Sequence, residues 1–254
     1  MLLVIDVGNS NTVIGVYEGE RLLHHWRCET RHDRTTDEWG VTILGFFQLV
    51  HLKQSDISAV CISNVVPPTS HAIETMCHRY LKCTPVVVNA ETAGIPIQYP
   101  HPREVGADRL VDAVAAFHKY PQALIVIDFG TATTFDYVDA EGAYWGGPIA
   151  PGLGISNDAL FSQTSKLPSV PIHRTEQLLP RTTIEAIQSG VYHGYVGLVD
   201  HLIQKLSKEV KSSPLIVATG GFANMIAQAS QTIKIVERFL TLEGLRLIWN
   251  RNVR

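Results

Sequence analysis

Short apolar runs that stop at Gly, Asn or Asp alternate along the chain with longer stretches carrying apolar residues at three- and four-residue spacing. The first pattern belongs to buried strands and the second to amphipathic helices. Strands are predicted at Ala59–Asn64, Val86–Asn89 and Leu215–Thr219. Helices are predicted over Asp37–Val50, Thr69–Leu81, Ala107–His118, Ile184–Val210 and Ala223–Ala229. Pro67-Pro68, Pro85, Pro121 and Pro214 punctuate these elements, since proline cannot donate to a central ladder.

The opening run has a second copy. Residues 2–16 read LLVIDVGNSNTVIGV and residues 124–138 read LIVIDFGTATTFDYV, with Asp6 and Asp128 standing 122 residues apart. At that offset Leu2, Val4, Ile5, Gly8, Thr12 and Val16 coincide with Leu124, Val126, Ile127, Gly130, Thr134 and Val138. A second turn follows in each copy, at Glu18-Gly19-Glu20 and at Asp139-Ala140-Glu141-Gly142, and then a third run. Each half therefore opens with a three-strand meander followed by alternating strands and helices. The expected fold is α/β, with two lobes related by internal duplication over residues 1–118 and 119–254.

Composition narrows the classes. The 254 residues are 45% hydrophobic and 18% charged, a globular balance. A formal net charge of −3 leaves no electrostatic footprint for nucleic acid. An anionic ligand must then be held by local dipoles, a few basic groups or metal ions. Cys28, Cys61, Cys77 and Cys83 form no C-x-x-C pair, which points to reduced thiols and a cytoplasmic location. Asp6 interrupts the opening run too early for a secretory segment or a membrane span, so neither is expected.

The candidate chemistry lies in the repeated turns. No Gly-Lys dipeptide occurs, which excludes a Walker A loop, and no G-x-G-x-x-G follows a strand. Instead Asp6-Val7-Gly8-Asn9-Ser10-Asn11-Thr12 and Asp128-Phe129-Gly130-Thr131-Ala132-Thr133-Thr134 each place a carboxylate at a strand end, then glycine and small polar residues. Glycine lets backbone approach a ligand, and the following N–H and hydroxyl groups can bond phosphate oxygens. The carboxylates suit phosphate only through a bridging cation. One such turn alone would read as an ordinary hairpin. Two in register favour phosphate binding. Ala218-Thr219-Gly220-Gly221-Phe222 is a third close-approach turn, suited to adenine or ribose or simply to tight strand–helix packing. The histidines lack metal-ligand spacing.

Five segments together, DVGNSNT at 6–12, GADR at 106–109, DFGTATT at 128–134, GGPIAPG at 146–152 and TGG at 219–221, resemble the motif series of type III pantothenate kinases. That family belongs to the actin-like (ribonuclease H-like) superfamily of acetate and sugar kinases, Hsp70 and actin. The resemblance implies a mixed sheet flanked by helices in each lobe, with ATP in the inter-lobe cleft. It also implies transfer of the ATP γ-phosphoryl group to the primary hydroxyl of pantothenate. Carried over by position, Asp6, Val7, Gly8, Asn9, Ser10, Asn11, Thr12 and Val13 form the first phosphate loop, and Thr131 contacts ATP. Tyr99, Gly106, Ala107, Asp108 and Arg109 line the pantothenate site, with Asp108 as general base. Thr183 reaches the substrate, from a partner subunit in the family's homodimer, whose interface motif corresponds to GGPIAPG. Asp128 holds a monovalent cation, K⁺ or NH₄⁺, and ATP enters with Mg²⁺. Two other readings compete: a kinase for another small hydroxylated acid or sugar, and a non-catalytic ATP-binding regulator. The presence of both Asp108 and Arg109 counts against the regulator.

Overall fold

Leu2–Val7 (β1) is apolar at every position but Asp6 because both of its faces are covered, as the computed structural model, which describes residues 1–253, makes plain. Leu3, Ile5 and Val7 enter one core together with Trp39, Ile43 and Phe47 of α1 (Thr36–Leu49) and Ile73 and Met76 of α2 (Ser70–Met76). Leu2 and Val4 enter the core on the other face, with Val111 and Val114 of α3 (Ala107–Lys119) and Leu242, Leu245 and Ile248 of α7 (Leu240–Asn252). The period-two alternation of a strand thus divides one apolar run between two cores.

Around β1 the first sheet runs in the order β3-β2-β1-β4-β5. β2 (Asn11–Glu18) and β3 (Arg21–Glu29) complete the meander, and β4 (Ala59–Asn64) and β5 (Val86–Val87) add in parallel. The second sheet runs β11-β10-β6-β7-β8, built from β6 (Leu124–Phe129), β7 (Ala132–Val138), β8 (Tyr144–Gly146), β10 (Leu215–Gly220) and β11 (Ile235–Val236). The two orders are the same sequence of antiparallel and parallel steps, so the duplication extends from the opening repeat to the whole sheet. β9 (Ile149–Pro151) has no counterpart and pairs with the start of β7. α4 (Leu153–Ser162), α5 (Thr183–Glu209) and α6 (Ala223–Ala227) complete the second half.

Two compact units result: Met1–Ala115 together with the segment from Phe239 onward, and Ala116–Arg238. The break in the middle of the chain falls inside α3. The tail does not stay with the second half. α7 packs on β1, β2 and β4, where Arg246, only 4% exposed, pairs with Glu243 and lies over the Tyr17 ring. The apolar spacing of the tail dictates burial but carries no information about which sheet receives it.

Local chemistry explains the boundaries. Thr35 caps α1 in a reciprocal box with Glu38, whose Oε2 accepts the Thr35 N–H at 2.8 Å. Thr182 and Glu185 repeat the device at α5. The helix predicted over Thr69–Leu81 is in fact α2 followed by a π-turn at Cys77–Leu81, which ends on left-handed Lys82.

Candidate active site

In the first unit two segments meet at the carboxyl end of β1. The turn Gly8-Asn9-Ser10 joins β1 to β2, with the Gly8 N–H bonded to the Asn11 carbonyl at 3.1 Å. Val7 is buried in the core and Val13 half-buried, whereas Asn9 and Ser10 are exposed at the tip. The Val65 N–H donates to the Val7 carbonyl at 3.1 Å, and the Val65 side chain lies 3.7 Å from where a Gly106 Cβ would sit. Val65 therefore brings the start of α3 beside the first turn. Asn64 shapes that connection, accepting the Val66 N–H on Oδ1 at 2.8 Å and donating from Nδ2 to Thr69 and Ser70.

At the start of α3 the Asp108 carboxylate turns back over the helix end. Its Oδ1 accepts the Arg109 N–H at 2.8 Å and lies 2.6 Å from the Cβ that any residue other than glycine would carry at 106. Gly106 is needed for that close approach. Asp108 and Arg109 are half-buried and Ala107 is buried. Tyr99 is 37% exposed. It belongs to a segment bordering a cavity of about 510 Å³ lined by Glu91, Ile95, Ile97, His101 and Arg103, but it does not itself line that cavity.

The second unit holds the other turn, Gly130-Thr131, one residue shorter than the first. The hairpin registers make this explicit: Val7 faces Thr12, whereas Phe129 faces Thr133. The constant offset that aligned Thr12 with Thr134 is thus corrected to Thr133, because a residue is missing from the turn between them. The Asp128 carboxylate is flanked by glycines. A Cβ at Gly220 would stand 2.5 Å from its Oδ1 and 2.6 Å from the Phe129 nitrogen, and one at Gly130 would stand 3.1 Å from its Oδ2. Gly220 also has φ +92°, a conformation costly for any side chain. The TGG segment therefore clears backbone space for Asp128, a role beyond strand–helix packing.

GGPIAPG closes over the same turn. A Cβ at Gly147 would lie 1.9 Å from the Phe135 carbonyl oxygen, and one at Gly152 would lie 2.2 Å from the Thr131 oxygen, to which the Gly152 N–H donates at 3.1 Å. These glycines are required inside the chain, whatever faces the motif from outside. Thr183, at the first turn of α5, lines an apolar hollow of about 470 Å³ with Ser156, Leu160, Leu167, Ile187 and Val191.

Sequence reasoning missed four supports: Asn64, Val65, Thr30 and Tyr195. Thr30 Oγ1 bonds Thr12 Oγ1 at 2.8 Å, so the Thr12 hydroxyl is buried and engaged within the core. Tyr195 on α5 bonds Thr133 Oγ1 and donates to the Pro151 carbonyl at 3.1 Å. Burial pushes the Tyr195 phenol above its ordinary range, partly opposed by the Thr133 bond. Asn64, a lone polar residue ending an apolar run, gave a signal in the sequence, whereas Val65, Thr30 and Tyr195 gave none.

Each unit carries its own oxygen donors at the end of its first strand. Asp6 and Asp128 are carboxylates, and the buried Ser63 Oγ beside Asp6 in the β1–β4 register has no hydrogen-bond partner. Oxygen donors of this kind suit Mg²⁺ or K⁺ over softer metals. No group of three His, Cys, Asp or Glu side chains converges on a metal position among the described residues.

A mixed sheet of one strand order built twice, each with an acid and a glycine at the end of its first strand, defines an α/β protein of the actin-like ATPase and sugar-kinase class. Two solved structures share the fold. An inorganic polyphosphate/ATP-glucomannokinase from Arthrobacter sp. strain KM superposes with a TM-score of 0.53 at 13% identity, covering 98% of each chain. The activator of the 2-hydroxyisocaproyl-CoA dehydratase from Clostridium difficile, solved with bound ADPNP, gives 0.55 at 12% identity, covering 100% of this chain and 98% of that one. The family model for type III pantothenate kinase matches residues 2–205. The type III pantothenate kinase of Geobacter sulfurreducens is 53% identical over 253 residues, 99% of either chain. The chain belongs to the type III pantothenate kinase family.

Proposed function

We propose that the protein transfers the γ-phosphoryl group of ATP to the primary hydroxyl of pantothenate, a first step toward coenzyme A. The observation that carries this reading is the convergence, within the first unit, of the Gly8–Ser10 turn and the Gly106–Arg109 helix start through Val65. One segment offers backbone N–H groups to phosphate. The other offers a carboxylate and a guanidinium to a hydroxylated acid. The ADPNP bound to the Clostridium difficile relative supports nucleotide binding by this fold.

In the proposed reaction Asp108 takes the proton of the pantothenate hydroxyl as its oxygen forms a bond to the γ-phosphorus. The bond from that phosphorus to the bridging oxygen breaks, and ADP leaves with the electron pair. Arg109 and the amino end of α3 hold the pantothenate carboxylate, where a helix terminus favours an anion. Asn9, Ser10 and Asn11 with Gly8 cradle phosphate oxygens, and Thr131 does so from the second turn. Asp6 and Asp128 would hold cations, Mg²⁺ with the nucleotide and K⁺ or NH₄⁺ at Asp128. Bound Mg²⁺ neutralises charge on the phosphates during transfer.

The functional form is proposed to be a cytoplasmic homodimer in which Thr183 reaches the substrate of the partner. Supporting this, Ile149, Ile155, Phe161, Leu178, Leu179 and Ile184 are all large, apolar and exposed around α4 and the start of α5. The free thiols of all four cysteines suit a reducing compartment. No helix among the described residues is long and apolar enough to cross a membrane.

A substrate panel tests the reading. ADP release is expected with pantothenate and to be faster in K⁺ than in Na⁺. Equal release with glucose or glycerol would overturn the assignment of substrate.

A further inference from the structure

We infer that Thr30 and Tyr195 are positioning residues for the two phosphate turns, holding each turn from behind through a buried hydroxyl pair. The inference rests on the proposed reading that these turns bind ATP. Its starting point is the corrected register. Thr12 and Thr133 are equivalent, each the strand residue facing the last residue before its turn. Both are fully buried, on sheet faces otherwise filled by Ile14 in one core and Phe135 in the other. Valine would suit such a position on a strand as well as threonine does. Burying a hydroxyl without a partner costs free energy, and each of these has a partner from an unrelated element.

In the first unit the partner is Thr30, immediately past the end of β3 and 7% exposed. Its side chain bonds Thr12, and its main-chain N–H donates to the Ser10 carbonyl at 3.0 Å. One residue thus grips the turn at its tip and at its base. In the second unit the partner is Tyr195, in the interior of α5, which bonds Thr133 and the Pro151 carbonyl. The next residue, Gly152, donates to the Thr131 carbonyl at 3.1 Å, which again fixes tip and base together. In each turn a tip carbonyl is engaged, that of Ser10 by Thr30 itself and that of Thr131 by Gly152, the neighbour of the Pro151 that Tyr195 bonds. The turn is held in a single geometry in which its N–H groups can face an anion without first being ordered. The turns were duplicated in sequence. The braces were not, yet they perform one task.

The test uses the full-length enzyme. Thr30→Val and Tyr195→Phe each remove one hydroxyl while keeping most of the volume, and Thr30→Ser restores the hydroxyl. Each removal is expected to raise KM for ATP about fivefold, the factor carried by one neutral hydrogen bond, with KM for pantothenate unchanged. Thr30→Ser is expected to return KM for ATP close to that of the wild type. Should Thr30→Val fail to fold, Thr30→Ala and Tyr195→Phe carry the same expectation. An unaltered KM for ATP in variants of an active enzyme would overturn the positioning roles. So would equal rises for both substrates, or no rescue by serine. Wild-type protein that binds no ATP would instead overturn the functional reading beneath them.

Discussion

Asp108 shows how a single position can satisfy both structure and chemistry. Its carboxylate accepts the Arg109 N–H at the first turn of α3, which any helix-starting acid could do. What sets it apart is Gly106, whose missing side chain leaves room for the Asp108 Oδ1. Asp108→Asn keeps the shape and removes the proton acceptor. Turnover is expected to fall about 10²–10⁴-fold, the usual range for a lost general base, with ATP binding retained by titration calorimetry. Turnover at the wild-type rate would remove Asp108 from the reaction. At this scale the sequence was readable for the turns themselves, since the chain reverses at Gly8 after Asp6 and at Gly130 after Asp128. It was unreadable for Thr30 and Tyr195, whose roles exist only once β3 and α5 are folded against the turns.

Among the elements, α5 carries the most varied set of contacts. Tyr195 braces a turn, Thr183 lines the apolar hollow, and Asp200 ties the helix to the loop before β11. Burial alone would raise the Asp200 carboxyl. Bonds from the Ser230 and Thr232 hydroxyls, each at 2.6 Å, and from the Gln231 N–H at 3.0 Å outweigh it and hold the group below its usual range. A lowered folded value means that this contribution to stability is present above the ordinary aspartate range and is lost as pH falls through the folded value. Asp200→Asn is therefore expected to be less stable than the wild type at pH 7, the gap narrowing below about pH 4 in urea melts. A gap that stays constant with pH would contradict the assignment.

The long helices matched their predicted spans within a residue at each end, and among the strands β5 keeps only Val86–Val87 of the predicted Val86–Asn89. β4 spans the predicted Ala59–Asn64, and β10 extends Leu215–Thr219 by one residue. α4 was not foreseen. It opens after glycine and buries only Leu153 and Asn157, so no apolar stripe repeats along it. Its remaining apolar side chains, Ile155, Leu160 and Phe161, are exposed instead, consistent with their use in the proposed dimer.

The whole molecule is one plan used twice. The strand order of the first sheet is repeated in the second, and the opening repeat announced it across 122 residues. The return of the tail to the first unit was hidden because hydrophobic spacing encodes a buried face without naming its partner. So was the shorter second turn, since a fixed offset cannot register a missing residue. Each unit nevertheless keeps the same site elements: an acid at the end of its first strand, a glycine, and a buried threonine fixed from behind.

If both turns bind phosphate as proposed, ATP affinity depends on each of them. Titration calorimetry of Mg²⁺-ATP into wild type, Asp6→Asn and Asp128→Asn measures this directly. Each substitution alone is expected to weaken binding about tenfold or more, as loss of a charged contact does, while thermal melts remain cooperative. Wild-type affinity in either variant would contradict the account.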